Sequence, residues 1–207
     1  MNKKNLYDWL QTPLIPVFCL VVLLLAPTLQ AQVLTLPVNL TYLAQRADVI
    51  VQGSVVDVRY ENHPEFPNIP TVRVTLEVEN MLRGPSVRTY TYRELLLGIK
   101  SRNDKQGYRI GQKLMLFLPT PSRYGLSSPV GIEQGRFHIT RLPSGEETIM
   151  NETGNSGLFR DVENAAFTSG IRLSEKHACL AATKQGPVSL DTFEALVQTL
   201  TAMPRIR

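Results

Sequence analysis

The stretch TVRVTLEVEN, Thr71 to Asn80, constrains the fold more than any other part of the chain. Val72, Val74, Leu76 and Val78 alternate strictly with Arg73, Thr75, Glu77 and Glu79. A period of two places the apolar set on one face of a strand and the charged set on the other. Such a strand belongs to an antiparallel sheet with one dry face and one wet face. Its neighbours carry the same signal. ADVIVQGSVVDVR precedes it from Ala47, interrupted by Gly53, which inside a strand marks a bulge or a tight bend. SVRTYTYRE follows the LRGP turn, with Arg88, Tyr90 and Tyr92 on one face and Thr89, Thr91 and Arg93 on the other. Lys113 to Leu118 reads as a fourth, buried strand, and VGIEQGRFHITRL with ETIMN reads as a closing hairpin.

Helical patterns flank these strands. NLTYLAQRA opens on Asn39, a good N-cap, and spaces Leu40, Leu43, Ala44 and Ala47 as a short amphipathic helix. From about residue 158 the pattern turns helical again: Ser174 caps SEKHACLAATK, and Ser189 caps LDTFEALVQTLTAM. In the latter Leu190, Phe193, Leu196, Val197 and Leu200 form one apolar stripe before Pro204. The expected class is mainly β with α (α+β): an OB-like Greek-key barrel of about five antiparallel strands, a short N-terminal helix and C-terminal helices. A β-sandwich fits the same strand count.

Ahead of this domain the chain reads as an export signal. Lys3 and Lys4 precede the apolar run Leu14 to Ala26, and Ala31 offers a small residue for cleavage. The run falls short of the ~20 residues needed to span a bilayer. The expectation is a signal peptide over residues 1–31 and a single exported domain, periplasmic or secreted, over residues 32–207, with no membrane attachment after cleavage. Loss of Lys3, Lys4 and Asp8 with the leader leaves the 22 basic and 18 acidic residues nearly balanced and scattered, which speaks against a nucleic-acid partner. Cys19 leaves with the leader, so Cys179 has no intramolecular partner; burial as a small hydrophobe on the apolar side of its helix is the commonest outcome for such a thiol, with pairing to another chain and free reactivity as the alternatives.

The order ADVIVQGSVVDV, TVRVTLEVENMLRGP, YTYRE and RIGQKLMLFL resembles the N-terminal domain of tissue inhibitors of metalloproteinases and the related netrin-like modules. The similarity covers roughly Ala47 to Leu118. The chain also resembles a group of bacterial exported proteins of unknown function. They share the L-x-x-L-x-x-x-A-D-V-I-V-x-G start, the Gly131 to Phe137 motif G-x-x-Q-G-x-F, and a helix after a Gly-Pro turn. The first resemblance implies an OB-like barrel and an extracytoplasmic protease as the natural class of partner. It does not bring the inhibitory chemistry, because in that family an N-terminal cysteine chelates the protease zinc. Here the expected first residue is Gln32.

Catalytic vocabulary is sparse. His63, His138 and His177 are far apart in sequence, no H-E-x-x-H appears, and GNSG lacks the spacing of a nucleophile elbow. No P-loop and no G-x-G-x-x-G occurs, so neither cofactor, metal site nor catalytic residue is expected. Binding residues on barrels lie mostly in loops. The loop Tyr60 to Pro70 carries His63, Phe66 and Ile69 among prolines and is the candidate protein-binding site, with Leu97 to Tyr108 as a second loop of interest. A carbohydrate or small-ligand reading uses Arg88, Tyr90 and Tyr92 instead. That strand face either stacks a ligand from solvent or points into the barrel with Arg88 at the rim. Asn39 and Asn151 each begin an N-x-T glycosylation triplet.

Overall fold

A computed structural model describes residues 36–96 and 107–205. The expected signal peptide and most of the Leu97 to Tyr108 loop lie outside the described residues. The element order is α1 (Leu40–Arg46), β1 (Val49–Asn62), β2 (Pro70–Arg83), β3 (Thr89–Leu95), β4 (Lys113–Leu118), β5 (Arg136–Arg141), β6 (Glu147–Asn151), α2 (Val162–Thr168), α3 (Glu175–Ala181), β7 (Val188–Ser189) and α4 (Leu190–Thr201). The protein is therefore mainly β with four helices among the described residues. Every strand pair is antiparallel, in one sheet of order β3-β2-β1-β4-β5-β6-β7. This is one continuous sheet, where a sandwich would need two. The first four strands follow the Greek-key order, with β4 returning to lie beside β1.

Seven strands stand where the sequence reading counts about five. The smallest addition is β7, two residues against Thr148 and Ile149, too short to leave any periodic signal. The expected closing hairpin also starts later than its apolar residues suggest. Residues 130–135 form turns, with Gly131 and Ile132 at positive φ, and the strand begins only at Arg136.

Strand β1 organises the sheet. From Ile50 to Ser54 it is paired on both sides, to β2 and to β4, whereas from Val55 onwards its ladder runs along β2 alone. The register slips at Gln52/Gly53, and a Cβ on Gly53 would sit 2.2 Å from the Glu77 carbonyl oxygen. Only glycine lets the two backbones approach this closely, so Gly53 marks the bend its position in the sequence predicts.

The sheet has a core on each face. On one, Ile50, Met115, Phe117, Phe137 and Ile149 meet the helices through Leu40, Leu43, Phe159, Phe193 and Leu196. On the other, Val51, Val55, Val72, Val74 and Leu76 meet Leu114, Leu116 and Leu118 together with Tyr92 and Tyr108. β4 faces both, which is why its sequence is a continuous apolar run rather than an alternation. The sheet coils enough for one side chain to reach both β3 and β5. The Tyr108 hydroxyl donates to Glu94 at 2.6 Å, and the Arg136 guanidinium lies 4.8 Å from the centre of the Tyr108 ring. No strand pairing joins β3 to β5, so the sheet is not closed.

One arginine ties the helical layer to the sheet. Arg83, the last residue of β2, donates to the carbonyls of Ala44, of Ala47 at 2.9 Å and of Thr201 at 2.8 Å. It thereby serves the C-terminal ends of both α1 and α4, where carbonyls lack helical partners and the helix dipole favours a cation. Beside it Asp48 accepts from the Thr120 amide and hydroxyl and from Arg205. The Thr120 hydrogen bonds, followed by Arg205, lower the Asp48 carboxyl to about 2.

Candidate protein-contact site

The loop between β1 and β2 is short, proline-rich and internally bonded. His63 donates its amide to the Ile69 carbonyl at 2.8 Å, and the Ile69 and Phe66 amides bond back within the same turn. The His63 ring is 3% exposed. Its Nδ1 accepts from the Glu65 amide at 3.2 Å, so Nε2 carries the proton and donates to the Tyr124 carbonyl at 2.8 Å. Sequence reading places His63, Phe66 and Ile69 together as contact residues, and the structure gives them different positions. His63 is the buried anchor, Ile69 is half-buried at the loop's base, and Phe66 is 36% exposed.

The anchor brings in a segment that sequence alone marked only as loop. Tyr124 lies edge-on to Phe66, with ring centres 5.2 Å apart, and is 39% exposed. Arg123 stacks over the Tyr124 ring at 4.6 Å. The Phe66 ring also leans on His63, 5.1 Å away. The result is an exposed Phe–Tyr–Arg cluster on two pinned loops. Aromatic residues and arginine are the side chains that most often dominate protein interfaces. A rigid loop loses little conformational entropy when a partner docks. Tyr124 and Arg123 carry no periodic signal, and 58 residues separate Phe66 from Tyr124, so only the fold could join them.

The second candidate face turns inward. Tyr90 and Tyr92 pair opposite Leu76 and Val74 on the side of the buried valines, while Arg88 is exposed ahead of the strand. Tyr92 is 4% exposed, and burial drives its hydroxyl well above the usual tyrosine range. Its ring meets Tyr108 edge-on at 6.1 Å. Tyr92 is thus closed to a ligand, while Tyr90 is half-buried against the same core.

His138 does meet an acid. Its Nε2 donates to Glu152 at 2.5 Å, its Nδ1 is 2.7 Å from the Gln112 amide, and Glu152 also receives Arg136 at 3.0 Å. The hydrogen bond from His138 is the chief reason the Glu152 carboxyl falls below its ordinary value. Both imidazole nitrogens are thus engaged, and neither is presented to a substrate in this arrangement. Among the described residues no group of three or more His, Cys, Asp or Glu side chains could hold a metal ion.

Three smaller positions also resolve. Cys179 is exposed on α3, contrary to the expected burial, because Leu180 takes the inward side of that helix. Asn151 is buried, accepting from Thr153 and the Asn155 amide and donating to the Gln134 carbonyl, which removes its triplet from any glycosylating enzyme in the folded state. Asn39 caps α1 through Tyr42 and donates to the Arg160 carbonyl. No helix among the described residues is long and apolar enough to cross a membrane. Comparison with protein-family models, with curated proteins and with solved structures finds no match to this chain.

Proposed function

We propose that this chain is an exported, non-enzymatic binding protein that engages a protein partner through the Phe66–Tyr124–Arg123 cluster. The observation that carries the reading is the pinning of that cluster. A buried histidine bonds both loops, so two exposed aromatic rings and a guanidinium are held in one geometry before any partner arrives. Export rests on the leader-like residues 1–31. The strand order β3-β2-β1-β4-β5 is that of an OB-type barrel left open between β3 and β5, with Tyr108 bridging the gap. This supports the resemblance to the netrin-like modules and, with it, an extracytoplasmic protease as the class of partner. Docking would run through side chains of the loops rather than through a metal-chelating N-terminus.

The test is capture on immobilised full chain from the exported fraction of the source cells, beside Phe66→Ala and Tyr124→Ala versions. One partner should be retained by the parent and bound roughly tenfold more weakly by each variant, as for a truncated interface anchor. Equal retention by all three proteins, or none by the parent, would overturn the proposal. Unchanged circular dichroism spectra of the variants separate loss of contact from loss of fold.

A further inference from the structure

A cavity of about 310 Å3 lies between α1 and α2, at the small end of the range for ligand pockets. Its wall includes Tyr42 and Arg46 from α1, Asp161 and Asn164 at the start of α2, and Asn39 and Thr41. The Arg46 guanidinium sits 5.6 Å from the centre of the Tyr42 ring, which is 45% exposed. Asn39 is held rigid by its bonds to Tyr42 and Arg160. Asp161 adopts a left-handed backbone conformation at φ 59°, unusual for a non-glycine residue, and its carboxylate makes no capping bond to α2. Among the described residues the carboxylate has one loose ion pair, with Arg160 at 3.9 Å. Thr41, also in the wall, carries a buried hydroxyl with no hydrogen-bond partner among the described residues. That oxygen is itself closed to solvent, so the exposed polar groups of the wall, Arg46, Asp161 and Asn164 among them, are the ones a ligand meets.

We infer that this cleft binds a neutral sugar. Three properties of the wall select that chemistry. The tyrosine ring offers a flat apolar surface for the C–H face of a pyranose. The carboxylate, amide and guanidinium of Asp161, Asn164 and Arg46 are planar groups suited to pairs of adjacent hydroxyls. The one cation and one anion cancel, so a ligand with net charge gains nothing. The site is separate from the Phe66 cluster and from the strand face of Tyr90 and Tyr92, where the sequence alone had placed the sugar alternative.

Saturation-transfer NMR on the full chain tests the inference, with the methyl glycosides of glucose, galactose, mannose and N-acetylglucosamine at millimolar concentration. Glycylglycine serves as a zwitterionic probe of similar size. Transfer to the ring C–H protons of at least one glycoside is expected. The same glycoside should bind roughly tenfold more weakly to Tyr42→Ala and to Asn164→Ala, as for loss of a stacking ring or of a hydrogen-bonding amide. Both residues are at the surface, and an unchanged melting temperature shows that each variant is folded. Three results overturn the inference: no transfer to any glycoside, transfer unaffected by both substitutions, or glycylglycine favoured over every glycoside.

Discussion

Replacing Arg83 by methionine is the sharpest way to test how the helical layer is fastened to the sheet. The methionine keeps the apolar stem of the side chain out to the position of Nε, so packing around the stem changes little. It removes the donors to the carbonyls of Ala44, Ala47 and Thr201. A hydrogen bond with a charged donor contributes about 1.5–3 kcal/mol, and less where solvent can replace it. Arg83 is half-buried, so about 1 kcal/mol for each carbonyl is the better figure, giving a loss near 3 kcal/mol. Two effects work the other way. Burial lowers the Arg83 guanidinium below its ordinary value, and repulsion from Arg205 lowers it further, so its removal relieves some cost. The net expectation is destabilisation by about 2–3 kcal/mol. With a urea m-value of about 2 kcal/mol/M for a domain of this size, the midpoint should fall by about 1–1.5 M at unchanged slope. Arg59→Met provides the control, since Arg59 is exposed and its one ion pair among the described residues is with Asp57; its stability should stay within about 0.5 kcal/mol of the parent. An Arg83→Met midpoint no lower than that of Arg59→Met would refute the reasoning.

Three further outcomes follow from the same structure. The Asp48 carboxyl lies near 2 in the folded protein against 3.8 as an ordinary aspartate, so its contribution is complete above about pH 4 and disappears as pH falls towards 2. Because the side chain is 37% exposed, screening reduces that contribution to about 1 kcal/mol; Asp48→Asn should therefore melt lower at pH 7, with the gap closing by pH 2. A gap that widens on acidification would contradict this. Gly53→Ala forces the β1 and β2 backbones apart and should cost about 2–4 kcal/mol in urea unfolding, whereas a neutral result would mean that the approach is not tight. Tyr92→Phe removes a buried hydroxyl whose polar neighbour, the Tyr108 hydroxyl, already donates to Glu94, so urea stability should change by no more than about 1 kcal/mol; a larger loss would show that the Tyr92–Tyr108 contact is a strong hydrogen bond.

Local chemistry determined much of this protein directly from its sequence. The alternation in Thr71 to Asn80 set the burial of β2, because a strand with period two can hide only one of its faces. Asn39 announced α1 and Gly53 announced the bend in β1, since capping and close backbone approach depend on one residue and its immediate neighbours. The stripe from Leu190 to Leu200 likewise set which side of α4 is buried.

What depends on distant residues meeting was decided only by the tertiary structure. Tyr90 and Tyr92 alternate with polar residues whether their face is wet or dry; packing on the buried valines of β2 and the leucines of β4 put Tyr92 inside and left Tyr90 half-buried. His63 looked like a loop histidine open to a partner, and became an anchor because the Tyr124 carbonyl, 61 residues away, accepts its proton. Arg83 looked like a turn residue after β2, yet its acceptors are carbonyls from two helices that lie far apart in the sequence. Pattern in a sequence reports how each segment divides its own faces between core and solvent. It carries no record of which remote backbone group will lie opposite a given side chain, and the Phe66–Tyr124–Arg123 cluster is built from such a meeting.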